Sequence, residues 1–488
     1  MTPPHESQQI PVKVEMAEPA AAVQKFSPSA TPPTGSRQPN KSPENGTIYV
    51  RAVKGLHQRL RRNMGFIFLA LFALLPFIQY EGHQAILLDI MEQKFHIFGM
   101  TLWPQDFTIM AWIFVIGAYA LFFVTTFYGR VWCGYLCPQT VWTFIFIWFE
   151  EKIQGNRNQR MKLDKEPWHR DKIIKKTLTH LCWLAFSLLT ALVFVGYFTP
   201  ILPLFHDFFT GAASSAAVIC VLVFMGCTYG NAGWMREIMC THMCPYSRFQ
   251  SAMFDKDTFT VSYDAARGEN RGPRGRKDTD YRAKGLGDCI DCQLCVHVCP
   301  TGIDIRNGLQ YECINCGACI DACDDTMEKM GYAKGLISYT TEHRLEGKKT
   351  KVIRPKLLGY FAVLLVVTGA FMWTLYSRMP VEMDVIRDRG SLFRETDEGM
   401  IENTYTLKII NKSQQQQRYL LRVSSPVELQ WIGQTDVIIA AGETAAVPIS
   451  LAVDPSALKG NNEIEFSIEN AADRSISLSQ GNTFFAPR

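Results

Sequence analysis

Three features of the sequence predict a multi-domain membrane protein: an α-helical transmembrane bundle of about five spans, a cysteine-rich module and an all-β sandwich at the C-terminal end. Five apolar blocks have the length of a bilayer span, eight of the 15 cysteines fall within residues 289–323, and beyond residue 380 apolar and polar residues alternate. A chain of 488 residues suits two to four units. The charged fraction is 20% against 47% hydrophobic, which excludes disorder throughout and a collagen-like repeat. Formal charge is only +4, so bulk electrostatics predicts no nucleic-acid partner.

Residues 1–45 carry nine prolines with many Ser, Thr and Gln, and read as a disordered tail that cannot build a core. A transmembrane domain is expected over 46–256, with spans near 64–80, 107–127, 178–199 and 216–235; a last span is expected at 357–377. The apolar stretch 141–149 is short and ends at Glu150 and Glu151, and it reads as interfacial or re-entrant, not as a sixth span. Loop charges set the orientation. Nine Lys/Arg fall in 150–177 and none in 200–215, while Lys94 is the one basic residue of 81–106. The positive-inside rule therefore places the N-terminus, 128–177 and 236–356 in the cytoplasm and 380–488 on the opposite side.

The last 109 residues alternate in runs such as 405–409, 419–423, 437–439 and 464–468, separated by turn signals at Ala441-Gly442 and Asp454-Pro455. That spacing predicts a small β-sandwich. It holds no cysteine or histidine, which suits docking or scaffolding better than metal chemistry.

The strongest chemical signal is Cys289-x2-Cys292-x2-Cys295-x3-Cys299-Pro300, followed by Cys313-x2-Cys316-x2-Cys319-x3-Cys323. This is the spacing of two-cluster bacterial ferredoxins, in which each fourth ligand crosses to the other cluster. Cys289, Cys292, Cys295 and Cys323 are expected to hold one [4Fe–4S] cluster, and Cys313, Cys316, Cys319 and Cys299 the second. Structural zinc also uses C-x2-C pairs, but it needs neither the third cysteine nor the crossed fourth. Asp324 stands where many ferredoxins have proline, a change expected to alter a turn and to cost no ligand. A module over 285–330 is thus expected between cytoplasmic linkers at 257–284 and 331–356. The first linker is basic (Arg267, Arg271, Arg274, Arg276, Lys277, Arg282, Lys284) but has only Tyr281 as a stacking aromatic, which suits anionic headgroups or an acidic electron donor over nucleic acid.

A second signal is an internal repeat: Arg130 precedes Cys133-x3-Cys137-Pro138, and Arg236 precedes Cys240-x3-Cys244-Pro245. Each follows an even-numbered span. Cysteines at i and i+4 share one face of a helix, so four thiols are expected to converge at the inner membrane surface. Packing alone explains one such pair less well once it is duplicated with its arginine and proline. Soft thiolates select Cu(I), zinc or iron–sulfur species. His242 and Met243 add borderline or soft donors, although a surface position is the simpler reading for His242. Cys182, Cys220 and Cys227 read as packing residues within spans, and His180 as interfacial.

The sequence resembles the FixG/RdxA/CcoG-type membrane ferredoxins, which act as cytochrome c oxidase accessory proteins. The phrases that carry the resemblance are 133–138, 244–250, 255–258 with 261–264, 289–292 through 302–306, and 319–323. It covers roughly 45–488 and implies a periplasmic immunoglobulin-like C-terminal domain in the bacterial inner membrane. It also implies assembly of the cbb3-type oxidase by reduction of Cu(II) to Cu(I), with Cys133, Cys137, Cys240 and Cys244 as the copper-facing thiols. The partners implied are oxidase assembly factors or copper chaperones and a cytoplasmic electron donor, with no nucleic acid. Two other readings use the same motifs: a quinol-oxidising membrane ferredoxin feeding a periplasmic reductase, and a scaffold whose clusters are structural.

Overall fold

The computed structural model describes residues 47–488 except Glu81, Thr279, Arg389, Gln414 and Arg488, together with the side chains of all but Gln105, Arg248 and Ser251 among them. The expected 1–45 tail lies outside the described residues. Five helices are long and apolar enough to cross a membrane: Leu56–Phe77, Phe107–Tyr128, Arg170–Val195, Ser215–Met235 and Pro355–Tyr376. Their number and order match the five apolar blocks; two of their starts do not. The first helix begins at Leu56 and not near 64, because its opening turns are closed by polar contacts that hydropathy does not register. Asp321 caps it, accepting from the His57 and Gln58 backbone N–H groups at 3.1 and 2.7 Å. Buried Arg61 lies 3.7 Å over the Phe144 ring. The third helix likewise begins at Arg170, whose first turns are charged. Residues 141–149 fall in the helix Pro138–Ile153, about 24 Å long at 1.5 Å per residue and short of a bilayer core. It is not among the five spans, and it buries Val141, Trp142, Phe146 and Ile147.

The chain divides into two compact units. One comprises the chain up to Phe66 with Phe122–Trp183 and Gly230–Leu357, and contains every cysteine of the two motif classes. Its cysteine-rich module is larger than 285–330. The strand Thr260–Tyr263 pairs antiparallel with Ile337–Thr340, in register Val261↔Tyr339, so parts of both expected linkers belong to the module. Val261, Leu336 and Ile337 are each 1% exposed in its core. Two arginines of the basic segment also turn inward. Arg274 stacks on Tyr281 and Tyr332, and Arg267 pairs with Asp288 at 2.6 Å. Arg276, Lys277, Arg282 and Lys284 remain exposed.

The other unit comprises Ile67–Leu121, Leu184–Tyr229 and Leu358–Arg488. Its C-terminal part is a two-sheet sandwich. One sheet runs Gln430–Gly433, Thr444–Val453, Ile401–Asn411, Val381–Arg387; the other runs Asp436–Ile439, Gln417–Ser424, Asn461–Asn470, Ser477–Phe485. In Ile401–Asn411 the inward residues Ile401, Tyr405, Leu407 and Ile409 alternate with more open ones, the period-2 burial of a half-buried strand. They meet Phe466, Ile468 and Phe484 in one core. The four expected strand runs all fall inside observed strands; Val381–Arg387, Thr444–Val453 and Ser477–Phe485 carried weaker alternation. Asp106, just before the second span, receives Arg378 at 2.7 Å and Lys412 of the sandwich at 2.9 Å.

Candidate metal and electron-transfer site

The two Cys-x2-Cys-x2-Cys loops fold alike. Asp291 and Gln293 take φ of 57° or less on the positive side (53° and 57°), and Asn315 and Gly317 repeat the pattern at 52° and 71°. Asp, Asn and Gly tolerate this left-handed region best, and two such residues between ligands curl each loop around a point. The four thiols Cys289, Cys292, Cys295 and Cys323 line one cavity, together with Tyr263 and Arg306. Cys299, Cys313, Cys316 and Cys319 line a second, to which Cys295 also contributes. Each cavity therefore gathers the three cysteines of one Cys-x2-Cys-x2-Cys run together with the x3 cysteine of the other, and Cys295 borders both. Among the described residues no three His, Cys, Asp or Glu converge closely enough to hold a single metal ion. The crossed fourth ligand at each cavity is the arrangement of a two-cluster ferredoxin.

Asp324 continues the helix Ala318–Met330 beyond Cys323, where a proline would stop it, and its carboxylate accepts from the Gly335 N–H at 2.9 Å.

The C-x3-C-P pairs are not two positions on one continuous α-helix. Cys133 lies in the short helix Val131–Tyr135, and Cys137 is the N-cap of Pro138–Ile153. Cys240 lies in a π-helical turn, Met239–Met243, and Cys244 caps its end before Pro245–Met253. Proline is the reason: it lacks an N–H and fits only as a first helical residue, so the helix restarts after each second cysteine. Both turns close with the same wide hydrogen bond, from Cys137 N to Trp132 O at 2.9 Å and from Cys244 N to Met239 O at 2.8 Å. The repeat is thus structural as well as sequential.

All four thiols lie within electrostatic reach of one another. Burial pushes the Cys133 and Cys240 thiols up to about 12, and the neighbouring thiols add to the effect; each of the six possible pairs contributes. Such thiols keep their protons at neutral pH until a metal displaces them. The Cys133 thiol donates to Gln250 Oε1 at 3.2 Å, and Thr140 donates to the Cys133 carbonyl at 2.6 Å. His242 is exposed, with its ring against the Thr241 hydroxyl, and Met243 is 55% exposed. His180 packs between Trp183 and Trp234. Cys220 and Cys227 are exposed along their span, and Cys182 is half-buried.

The first turn sits directly on the second cavity. A Cβ at Gly134 would lie 2.7 Å from the Ile314 carbonyl and 2.9 Å from Cys316 Cα. Cys133 packs in the cluster of Val298, Ile314, Cys316 and Ala318. Tyr135 meets His57 at 3.0 Å and Tyr339 at 3.3 Å, and Tyr339 in turn donates to the Asn315 carbonyl. Sequence reasoning missed this docking. Gly134, Tyr135 and Asn315 lie between ligands, and only the partner loops give them a role.

Spans, cysteine cavities and a β-sandwich together define a membrane-bound iron–sulfur electron-transfer protein. Three family models match the chain: a 4Fe-4S binding domain over 110–155, a 4Fe-4S dicluster domain over 235–342, and the IG-like fold at the C-terminal of FixG over 371–487. "Nitrogen fixation protein FixG" of Rhizobium meliloti is 35% identical over 415 residues, covering 77% of this chain and 79% of its own. "Protein RdxA" and "Protein RdxB" of Cereibacter sphaeroides are 37% and 36% identical, over 83% and 78% of this chain and 88% and 83% of theirs. The chain belongs to the FixG/RdxA family.

Proposed function

We propose that this protein reduces Cu(II) to Cu(I) for assembly of a cbb3-type haem–copper oxidase, with Cys133, Cys137, Cys240 and Cys244 as the copper-facing thiols. On this reading Cys289, Cys292, Cys295 and Cys323 hold one [4Fe–4S] cluster and Cys299, Cys313, Cys316 and Cys319 the other. Such clusters supply electrons one at a time, and Cu(II) needs one. The observation that carries the proposal is the docking of the first C-x3-C-P turn on the Cys313–Cys316 loop, which brings soft thiols against the second cavity. Oxidase assembly factors or copper chaperones would take the Cu(I), and a cytoplasmic donor would reload the clusters. The loop charges favour a cytoplasmic N-terminus and iron–sulfur module with a periplasmic sandwich. Reporter fusions at residue 50, within 155–175 and near 280 should then read cytoplasm, and one after residue 400 periplasm.

Anaerobic purification with metal analysis and EPR, with and without added copper, tests the assignment. The expected result is about eight irons per chain and copper binding that disappears when a C-x3-C-P pair is changed to serine. About twelve irons and no copper would instead place iron–sulfur chemistry at the four thiols. The match of a 4Fe-4S binding domain to 110–155 favours that second reading, because the cysteines of that segment are Cys133 and Cys137. Cluster reduction by quinol without any copper dependence would support the quinol-oxidising alternative.

A further inference from the structure

The two C-x3-C-P turns each carry an arginine, and the two arginines face different chemistry. Arg236 is neutralised: its Nη2 lies 2.5 Å from Glu150 Oε1, and its Nε donates to Gly233 O at 2.8 Å. Arg130 makes no ion pair among the described residues. Arg130 is 2% exposed; among the described residues its guanidinium donates to two backbone carbonyls, from Nη1 to Tyr311 O and from Nη2 to Ser247 O, and its buried Nε has no partner. Arg160 and Arg354 also bury an unpartnered Nε, but each has a carboxylate, Glu150 and Asp255 respectively.

The two carbonyls locate Arg130 among the thiols. Tyr311 stands two residues before Cys313 of the second cavity. Ser247 is tied to Cys244, whose carbonyl accepts from the Ser247 N–H at 3.3 Å and from its hydroxyl at 2.9 Å. Arg130 itself stands three residues before Cys133. One side chain therefore joins the Cys313 loop, the second C-x3-C-P turn and the first. A guanidinium stays protonated in proteins, and a buried charge needs an opposite charge or costs heavily. Burial holds the Arg130 guanidinium below its ordinary value, and Cys133, Cys313, Cys240 and Cys244, drawn from both thiol sets, act in the opposite direction.

We propose that Arg130 is a positioning residue shared by the two thiol sets: its fork fixes the second cavity against the C-x3-C-P turns, and its charge serves as counter-charge to the metal-bound thiolates on both sides. This rests on the copper reading for one of the two sets and on the iron–sulfur character of the chain for the other. The sharing makes the sets sense each other. Replacing two thiol protons by one Cu(I) leaves the C-x3-C-P side one unit more negative. That opposes adding an electron on the other side of Arg130, so copper loading should move one cluster's midpoint potential downward. The first cavity has its own cation, Arg306, already paired with Asp304 at 2.7 Å and Asp291 at 2.5 Å, and should not respond.

The experiment is an EPR-monitored redox titration of the full-length protein in detergent, with and without Cu(I) supplied from a chelator buffer, for wild type, Arg130→Met and Arg130→Lys. In wild type, Cu(I) should lower the midpoint of one cluster and leave the other in place. Arg130→Met should lower that same midpoint without copper, because a positive charge has gone, and should weaken Cu(I) binding. Arg130→Lys keeps the charge but not the planar fork, and should restore most of the potential. If Arg130→Met does not accumulate, the copper-induced shift in wild type and Arg130→Lys carries the test, and equal shifts of both clusters or none while Cu(I) binds overturn the proposal. Unchanged midpoints in a folded Arg130→Met protein that still binds Cu(I) also overturn it. Failure of wild type to bind Cu(I) overturns the copper reading instead, while a midpoint lowered in Arg130→Met would still support the role of the charge toward the cluster.

Discussion

The two thiol cavities share a loop design and differ in their surroundings. The first is closed by its own module: Arg306 beside it is paired with two carboxylates, and its walls come from Tyr263, Leu336 and Ile337 of the module's core. The second is part of a junction. Its Ile314–Cys316 backbone touches Gly134, its Asn315 accepts from Tyr339, and Arg130, which makes no ion pair among the described residues, donates to the Tyr311 carbonyl. Identical ligand spacing therefore does not imply identical work. On the copper reading, the second cavity is the one set against the soft thiols that would use an electron.

The largest effect that can separate the cavities is loss of a single cluster. Cys292→Ser and Cys316→Ser should each remove about four of eight irons. Only the second should also loosen the C-x3-C-P turns, seen as faster alkylation of Cys133 and Cys240 by a maleimide. Equal alkylation in both variants would break the comparison. Next comes Gly134→Ala. The new methyl meets backbone on the Cys316 loop, which has no side-chain freedom with which to yield, so a cost of about 1–3 kcal/mol is expected. Gly275→Ala, with open space around it, should stay within about 0.5 kcal/mol in the same thermal-shift measurement. The smallest effect is at Asp321→Ala. It removes the cap from the first span's helix at a cost of about 1 kcal/mol, readable as a lower unfolding temperature with both clusters retained.

Much of this architecture was legible in the sequence, for physical reasons. Bilayer thickness forces long apolar runs, and cluster ligation forces cysteines into short fixed intervals, so both leave local marks. Helix starts left none where polar contacts closed the first turn, as at Leu56 and Arg170. The ferredoxin module extends beyond 285–330 because the strands Thr260–Tyr263 and Ile337–Thr340, four residues each, pair across 74 to 80 positions, a contact that local alternation does not reveal. Arg130 was visible as half of a repeat, but the sequence treats it and Arg236 alike. Glu150 beside one, and among the described residues only carbonyls beside the other, set the two arginines apart.

The central claim is that electrons held by the iron–sulfur clusters leave through the C-x3-C-P thiols to copper. Anaerobic stopped-flow mixing of fully reduced protein with Cu(II), following cluster bleaching and Cu(I) capture by a chromogenic chelator, tests it directly in wild type and in Cys240→Ser/Cys244→Ser. Serine hydroxyls are hard donors and do not stabilise Cu(I). The account predicts that the variant keeps its iron–sulfur spectrum and loses most of its rate of Cu(I) formation. A variant with intact clusters that reduces Cu(II) at the wild-type rate would contradict it.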